Sequence, residues 1–160
     1  MERQQHSMMR DKGHGRPYLR LAGMIVLSFA SMYTLMYAMV NSFENVYSSL
    51  NQLYMASLMT APMVLIELLL MKDMYPSKNL NLILLAASAI VGIGSFGLIR
   101  QQAAIGDKQF LRSMIPHHAG AILMCEEAHV QSPEIKQLCQ GIIASQQSEI
   151  DQMKSLLSRK

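Results

Sequence analysis

Hydrophobic positions fall into three long apolar runs, followed by two stretches in which apolar residues recur every third or fourth position. The first run, residues 21 to 40 (LAGMIVLSFASMYTLMYAMV), carries no charge over twenty residues. At about 1.5 Å per residue a helix of that length crosses a hydrocarbon layer of about 30 Å. Residues 53 to 71 form a second run that contains Pro62 and one acid, Glu67. Residues 80 to 99 form a third, in which Gly92, Ser95 and Gly97 are small enough to let helices approach closely in lipid. The pattern predicts three transmembrane helices. The apolar part of the first is longer than that of a cleavable leader and no clear A-x-A site follows, so it reads as a retained anchor.

After residue 100 the period changes to that of helices with one apolar face. Asp107 is expected to cap a helix reaching about Val130, and Ser132 followed by Pro133 is an N-cap with a first-turn proline for a helix reaching about Leu157. The two are predicted to fold back as a hairpin. On the second helix Ile135, Leu138, Cys139, Ile142, Ile150, Met153 and Leu156 share a face, with the polar Gln146 and Glu149 set inside the stripe. On the first, Met114, His118, Ala121 and Cys125 align, bordered by His117 and Met124. Pro116 removes one backbone hydrogen bond beside the His pair and is expected to bend the helix there. Pairing about a turn near residue 132 places His118 opposite Gln146, Met114 and Ile115 opposite the Glu149 region, and Cys125 opposite Cys139.

Charge supplies a direction. Residues 21 to 66 contain a single charged side chain, Glu44, whereas the tail before them carries Arg3, Arg10, Lys12, Arg16 and Arg20. Basic flanks are retained on the cytoplasmic side. The loop of about residues 41 to 52 has no Lys or Arg and the next loop has Lys72 and Lys78, so the tail and second loop are expected inside, the first loop and the C-terminal part outside. The division is a basic cytoplasmic tail (1–20), a three-helix membrane domain (21–99) and a periplasmic helical hairpin (100–160) of a bacterial inner-membrane protein. This topology accounts for the net charge of +3 and pI near 9.0 without nucleic acid, for which no aromatic-studded basic patch exists. Glu67, near the cytoplasmic end of its span, is expected to reach interfacial water or Lys72.

Methionine supplies 15 of 160 residues, which matters because a thioether both packs and ligates soft metals. In the spans, Met32, Met36 and Met39, then Met55, Met59 and Met63, recur at helical spacing and read as packing rather than as an ion path. His6, Met8, Met9 and His14 read as part of the basic tail. At one end of the hairpin Met114, His117, His118, Gln146, Glu149 and Met153 gather. Imidazole with thioether favours Cu(I) and Ag(I) ahead of zinc, and excludes Mg(II) or Ca(II), which want oxygen. Ordinary core histidines with gap-filling methionines are the competing account. Two cysteines are too few for a disulfide scaffold, and Cys125 and Cys139 remain open to a disulfide, a thiolate ligand or two buried thiols. Glu126-x-x-His129 is the spacing of di-iron bundles and leaves an iron enzyme as an alternative, but no nucleophile triad, phosphate loop or dinucleotide fingerprint is present and catalysis is not expected.

The run DKQFLRSMIPHHAGAILM followed by IIASQQSEIDQM resembles a ferritin-like His-His family, domain of unknown function family 305, over about residues 107 to 157. The resemblance implies an envelope location and copper or silver binding, with His117, His118, Met114, Met124 and Met153 at the His and Met positions of the motif. Leu156 stands where the family often has Trp, and one motif unit is present where many relatives have two. Two amphipathic helices cannot cover their own apolar faces. The expected fold is therefore all-α: three transmembrane helices and a ferritin-like hairpin that completes a four-helix bundle as a homodimer, whose partners are the lipid bilayer, a metal ion and a second copy. The function this implies is sequestration or transfer of Cu(I) or Ag(I), against a structural or interaction role without metal.

Overall fold

The computed structural model describes residues 2–159, with side chains from Arg16 onward. Among these residues the regular structure is helical: α1 (Glu2–Leu35), α2 (Leu50–Leu70), α3 (Lys78–Arg100), α4 (Asp107–Glu127) and α5 (Pro133–Ser158), with short 3₁₀ turns at Met36–Met39, Phe43–Asn45 and Lys72–Met74. Segments Arg16–Met39, Leu50–Leu70 and Lys78–Arg100 are long and apolar enough to cross a membrane. They match the three runs to within a few residues. His6, Met8, Met9 and His14 lie outside the residues whose side chains are described.

The chain divides into two compact units: Met1–Tyr33 with Tyr54–Gln101, and Thr34–Leu53 with Gln102–Lys160. In the first, Leu21, Val64, Leu68 and Tyr75 make a buried cluster. Ser77 caps α3 by accepting from the Leu80 amide at 3.4 Å. The Tyr18 ring lies against that of Tyr75, centroids 5.4 Å apart, and its hydroxyl donates to Asn81 Oδ1 at 2.8 Å. Glu67 has a partner within the unit, the Tyr75 hydroxyl, which donates to its Oε1 at 2.9 Å. Tyr75 is only 3% exposed, and burial together with this carboxylate pushes its pKa up to about 12. The small residues differ among themselves. Gly92 lies against Ala61, where an added Cβ would sit 3.4 Å from the alanine side chain, and Ser95 is buried, but Gly97 faces open space.

In the second unit α4 and α5 pack together, with Leu111, Ile115, Ala119, Ile122, Ile150 and Met153 in their core. Enclosing a side chain the size of isoleucine contributes roughly 1.5–3 kcal/mol. The turn Met36–Met39 also packs on α4. Gly120 makes room for it, since a Cβ there would approach the Met39 carbonyl oxygen to 3.3 Å. Gln109 Oε1 accepts from the Leu50 amide at 3.0 Å and satisfies one of the orphan donors of the α2 N-terminus.

Both hairpin helices begin close to the expected points, but α4 differs at its ends. Gly106 occupies the cap position without a side-chain bond, and Asp107 is instead the acid of the first turn, where it favours the helix dipole. The helix stops at Glu127 with an extended Ala128, short of Val130. Ser132 caps α5 as expected, its Oγ accepting from the Ile135 amide at 3.4 Å with Pro133 in the first turn. The connection from α3 contains two non-glycine residues in the left-handed region, Gln102 (φ 49°) and Ala104 (φ 59°).

Candidate metal centre

The α4–α5 core carries its polar side chains at the end remote from the turn. Ile115 and Ala119 of α4 point fully into the core, both 0% exposed, and this fixes where their neighbours go. His118 follows the inward side and its side chain is 12% exposed, whereas His117 is exposed. Adjacent helical residues project about 100° apart. The two rings accordingly diverge, with centroids 6.1 Å apart and planes tilted by 58°. Met153 is buried in the same core, and Met114 is packed against it.

Glu149 Oε2 lies 3.0 Å from His118 Nδ1. That is an ion-pair distance, yet the buried Nδ1 makes no hydrogen bond, so the oxygen sits off the N–H direction. Burial lowers the His118 pKa below its ordinary value, Glu149 opposes that shift and the neighbouring His117 adds to it. The half-exposed carboxylate is not enough to reverse the desolvation.

This contact corrects the expected pairing of His118 with Gln146. Side chains lean toward the N-terminus of their own helix, so on antiparallel helices they lean toward each other along the axis. A long imidazole and a long carboxylate therefore meet, although a register counted from the turn sets His118 opposite position 146. Cys125 and Cys139 are free and half-buried thiols, and the neighbouring Cys139 together with burial raises the Cys125 pKa above its ordinary value.

Of the five residues singled out in the sequence, Met114, His118 and Met153 belong to one end of the hairpin core. His117 adjoins them from the exposed side. Met124 does not: it is 54% exposed and ten residues beyond Met114, about 15 Å along the helix. Glu149 is the site residue the ligand set omitted, and its signal was a carboxylate inside an apolar stripe. The di-iron spacing does not form a helical pair, because Glu126 lies on α4 and His129 lies beyond its end, both exposed. Among the described residues no three His, Cys, Asp or Glu side chains converge as a metal-binding group. This end of the hairpin core carries one buried imidazole nitrogen, the Glu149 carboxylate and the thioethers of Met114 and Met153.

Residues 97–157 match the family described as Domain of unknown function (DUF305). The chain is also 37% identical over 140 residues to "Uncharacterized protein L153" of Acanthamoeba polyphaga mimivirus, a match covering 86% of this chain and 90% of the relative. A match of that length extends well beyond the family segment into the apolar helices. No solved structure matches the chain.

Proposed function

The chain belongs to the domain-of-unknown-function family 305, and from that premise we propose that it is a membrane-anchored metal-binding protein whose hairpin sequesters or hands over Cu(I) or Ag(I). The observation that carries the proposal is the buried His118 Nδ1 without a hydrogen bond, in a core that also holds the thioethers of Met114 and Met153. A buried polar atom left unpaired costs about 1–3 kcal/mol, and a soft cation would relieve that cost. His118, Met114 and Met153 would hold the ion, with His117 reached by rotation of its exposed ring and Glu149, 3.0 Å from the same nitrogen, supplying negative charge beside the cation. Zinc, which prefers four nitrogen or thiolate ligands, fits this set less well.

Three spans anchor the hairpin, and the side it occupies follows from charge: the basic tail stays inside and the hairpin lies opposite, the periplasmic side of a bacterial inner membrane. The packing of loop residues Thr34–Leu53 with α4 and α5 in one unit supports this, because the odd number of spans gives that loop and the hairpin the same side. The second partner is a copy of the chain. Leu138 is 61% exposed, Met124 54% and Ile135 46%, an apolar surface on a water-facing hairpin that a second hairpin would cover as a four-helix bundle. Chemical cross-linking in native membranes is expected to give dimers, and Leu138→Lys is expected to abolish them; an unaltered dimer yield in that variant removes this surface from the interface.

Titration of the full-length protein in detergent with Cu(I) against a competing chelator tests the metal site. Replacing His117 and His118 together by Ala is expected to weaken binding on the order of 100-fold, and Glu149→Gln by about tenfold through loss of the negative charge beside the site. A double variant with wild-type affinity rejects the site. A second reading, in which Glu149 merely pairs with a structural His118, draws on the 3.0 Å contact and is supported if neither ion binds.

A further inference from the structure

Where α4 begins and α5 ends, the hairpin holds a crevice of about 540 Å³. Ile105 of the connection, Phe110 and Leu111 of α4 and Leu156 of α5 line it, together with Gly106 and Asp107. Leu111 is buried, but Phe110 is 49% exposed and Leu156 41%. Large apolar side chains left open around one hollow and rimmed by charge mark a surface that something covers. The charge is unevenly spread along the hairpin. Residues 100 to 112 and 152 to 160 carry Arg100, Lys108, Arg112, Lys154, Arg159 and Lys160 against one acid, Asp107, whereas the opposite end carries Glu126, Glu127 and Glu134 against Lys136. The α4 N-terminus, where Gly106 gives no side-chain cap, adds partial positive charge to the basic end. The covalent chain also limits where this end can be. Only five residues separate Ile105 from Arg100, the last residue of a helix long and apolar enough to cross a membrane, which keeps the crevice within about 18 Å of that helix end.

We propose that an anionic phospholipid of the surrounding bilayer docks on this end of the hairpin, with an acyl chain in the crevice against Phe110 and Leu156 and its headgroup beside Lys108 and Arg159. Lys108 and Arg159 are both exposed. Lys108 stands one helical turn before Leu111, and Arg159 one turn after Leu156, so each flanks a wall of the crevice. A basic segment next to a membrane span is drawn to anionic lipid, and the apolar hollow supplies what charge alone does not, a place for hydrocarbon. The inference rests on α3 spanning a membrane, and it deepens the proposed function. Met114 follows Leu111 by one turn and Met153 precedes Leu156 by one turn, so docking sets the metal end of the hairpin against the bilayer surface.

The chain has no tryptophan, so Phe110→Trp places a single fluorescent reporter in the crevice. The full-length variant is reconstituted in nanodiscs of mixed phosphatidylcholine and phosphatidylglycerol, with bromine on the acyl chains of one lipid or the other to quench an indole in contact. At equal content, brominated phosphatidylglycerol should quench on the order of twofold more strongly than brominated phosphatidylcholine. Leu156→Trp, on the facing helix, should report the same and replaces Phe110→Trp if that variant does not fold. Adding Lys108→Glu and Arg159→Glu should abolish the preference. His129→Trp, beyond the far end of α4 and about 25 Å along the helix from Phe110, should not be quenched. Crevice reporters that are unquenched, as under a second hairpin, or quenched equally by the two lipids, would overturn the proposal. So would a preference that survives the charge reversals, or quenching at position 129 as strong as at 110. Ile93→Trp within α3 tests the span separately: quenching by both lipids is expected there, and its absence would reject the membrane anchor and this inference together. No readout involves metal, so failure here is distinct from failure of the metal site.

Discussion

In the most apolar windows of α1 and α3 only 6% of residues are buried by the rest of the protein, whereas Ile115, Ile122 and Ile150 between α4 and α5 are almost wholly enclosed. The membrane unit leaves Leu70, Ile90 and Ile93 more than 70% exposed. These helices are long and apolar enough to cross a membrane, and side chains so apolar and so exposed are suited to lipid. The hairpin has its own core, built from one stripe per helix, and its remaining apolar surface is a patch rather than a coat. Packing therefore specifies the hairpin residue by residue, while in the spans length and apolarity matter more than the identity of an outward residue.

The largest expected effect exploits that difference. Ile150→Ala removes a side chain with no exposure and should destabilise the hairpin by about 2–5 kcal/mol. The matching change in α3, Ile93→Ala, at a site 74% exposed, should alter stability by no more than about 0.5 kcal/mol. Pulse proteolysis of the full-length protein in lipid nanodiscs reads both. Equal losses at the two positions would show that the spans are packed as specifically as the hairpin, and would erase the contrast.

The exception inside the membrane unit is its polar end, where Tyr75 donates to Glu67 and its ring packs on Tyr18. Tyr75→Phe keeps the ring and removes the hydroxyl, leaving a carboxylate without that donor. A hydrogen bond to a charged group is worth about 1.5–3 kcal/mol. The loss should appear in unfolding of the three spans and not in the hairpin. A hairpin transition that moves with it would mean that the two units do not unfold separately.

The same contrast explains what was legible from sequence. An uncharged run of twenty residues favours one long apolar helix, so the three helices long and apolar enough to cross a membrane could be read almost to their ends. Ser132 and Pro133 marked the start of α5 because a cap and a first-turn proline act locally. Local signals did not reveal that Thr34–Leu53 belongs with the hairpin. Its buried Asn45 and Ser49 follow no period, and the one hint was Gly120, a residue of poor helix propensity placed where the Met39 carbonyl approaches. The pairing of His118 was missed for a different reason: a register counted from the turn locates backbones, while long side chains meet about one helical turn away. The site could thus be located to one end of the hairpin, but its carboxylate could not be assigned to its histidine.

The smallest expected effect is a pH dependence that separates the two units. His118 has a pKa lowered from the ordinary 6.5, so the unfolded chain takes up its proton at a higher pH than the folded chain does. As pH falls below about 6.5 the unfolded state binds more protons, and the metal-free hairpin loses stability until the folded pKa is passed. Above 6.5 the group contributes no slope. The shifted tyrosine of the membrane unit, Tyr75 at about 12, is far from this range. Denaturation between pH 7.5 and 5 should therefore show a decline in the hairpin that His118→Gln flattens. Glu149→Gln should steepen it, because that carboxylate is what holds the pKa from falling further. An unchanged slope in His118→Gln would mean that the buried imidazole is not the titrating group, and the unpaired nitrogen would lose its claim to be the feature that sets this end of the hairpin apart.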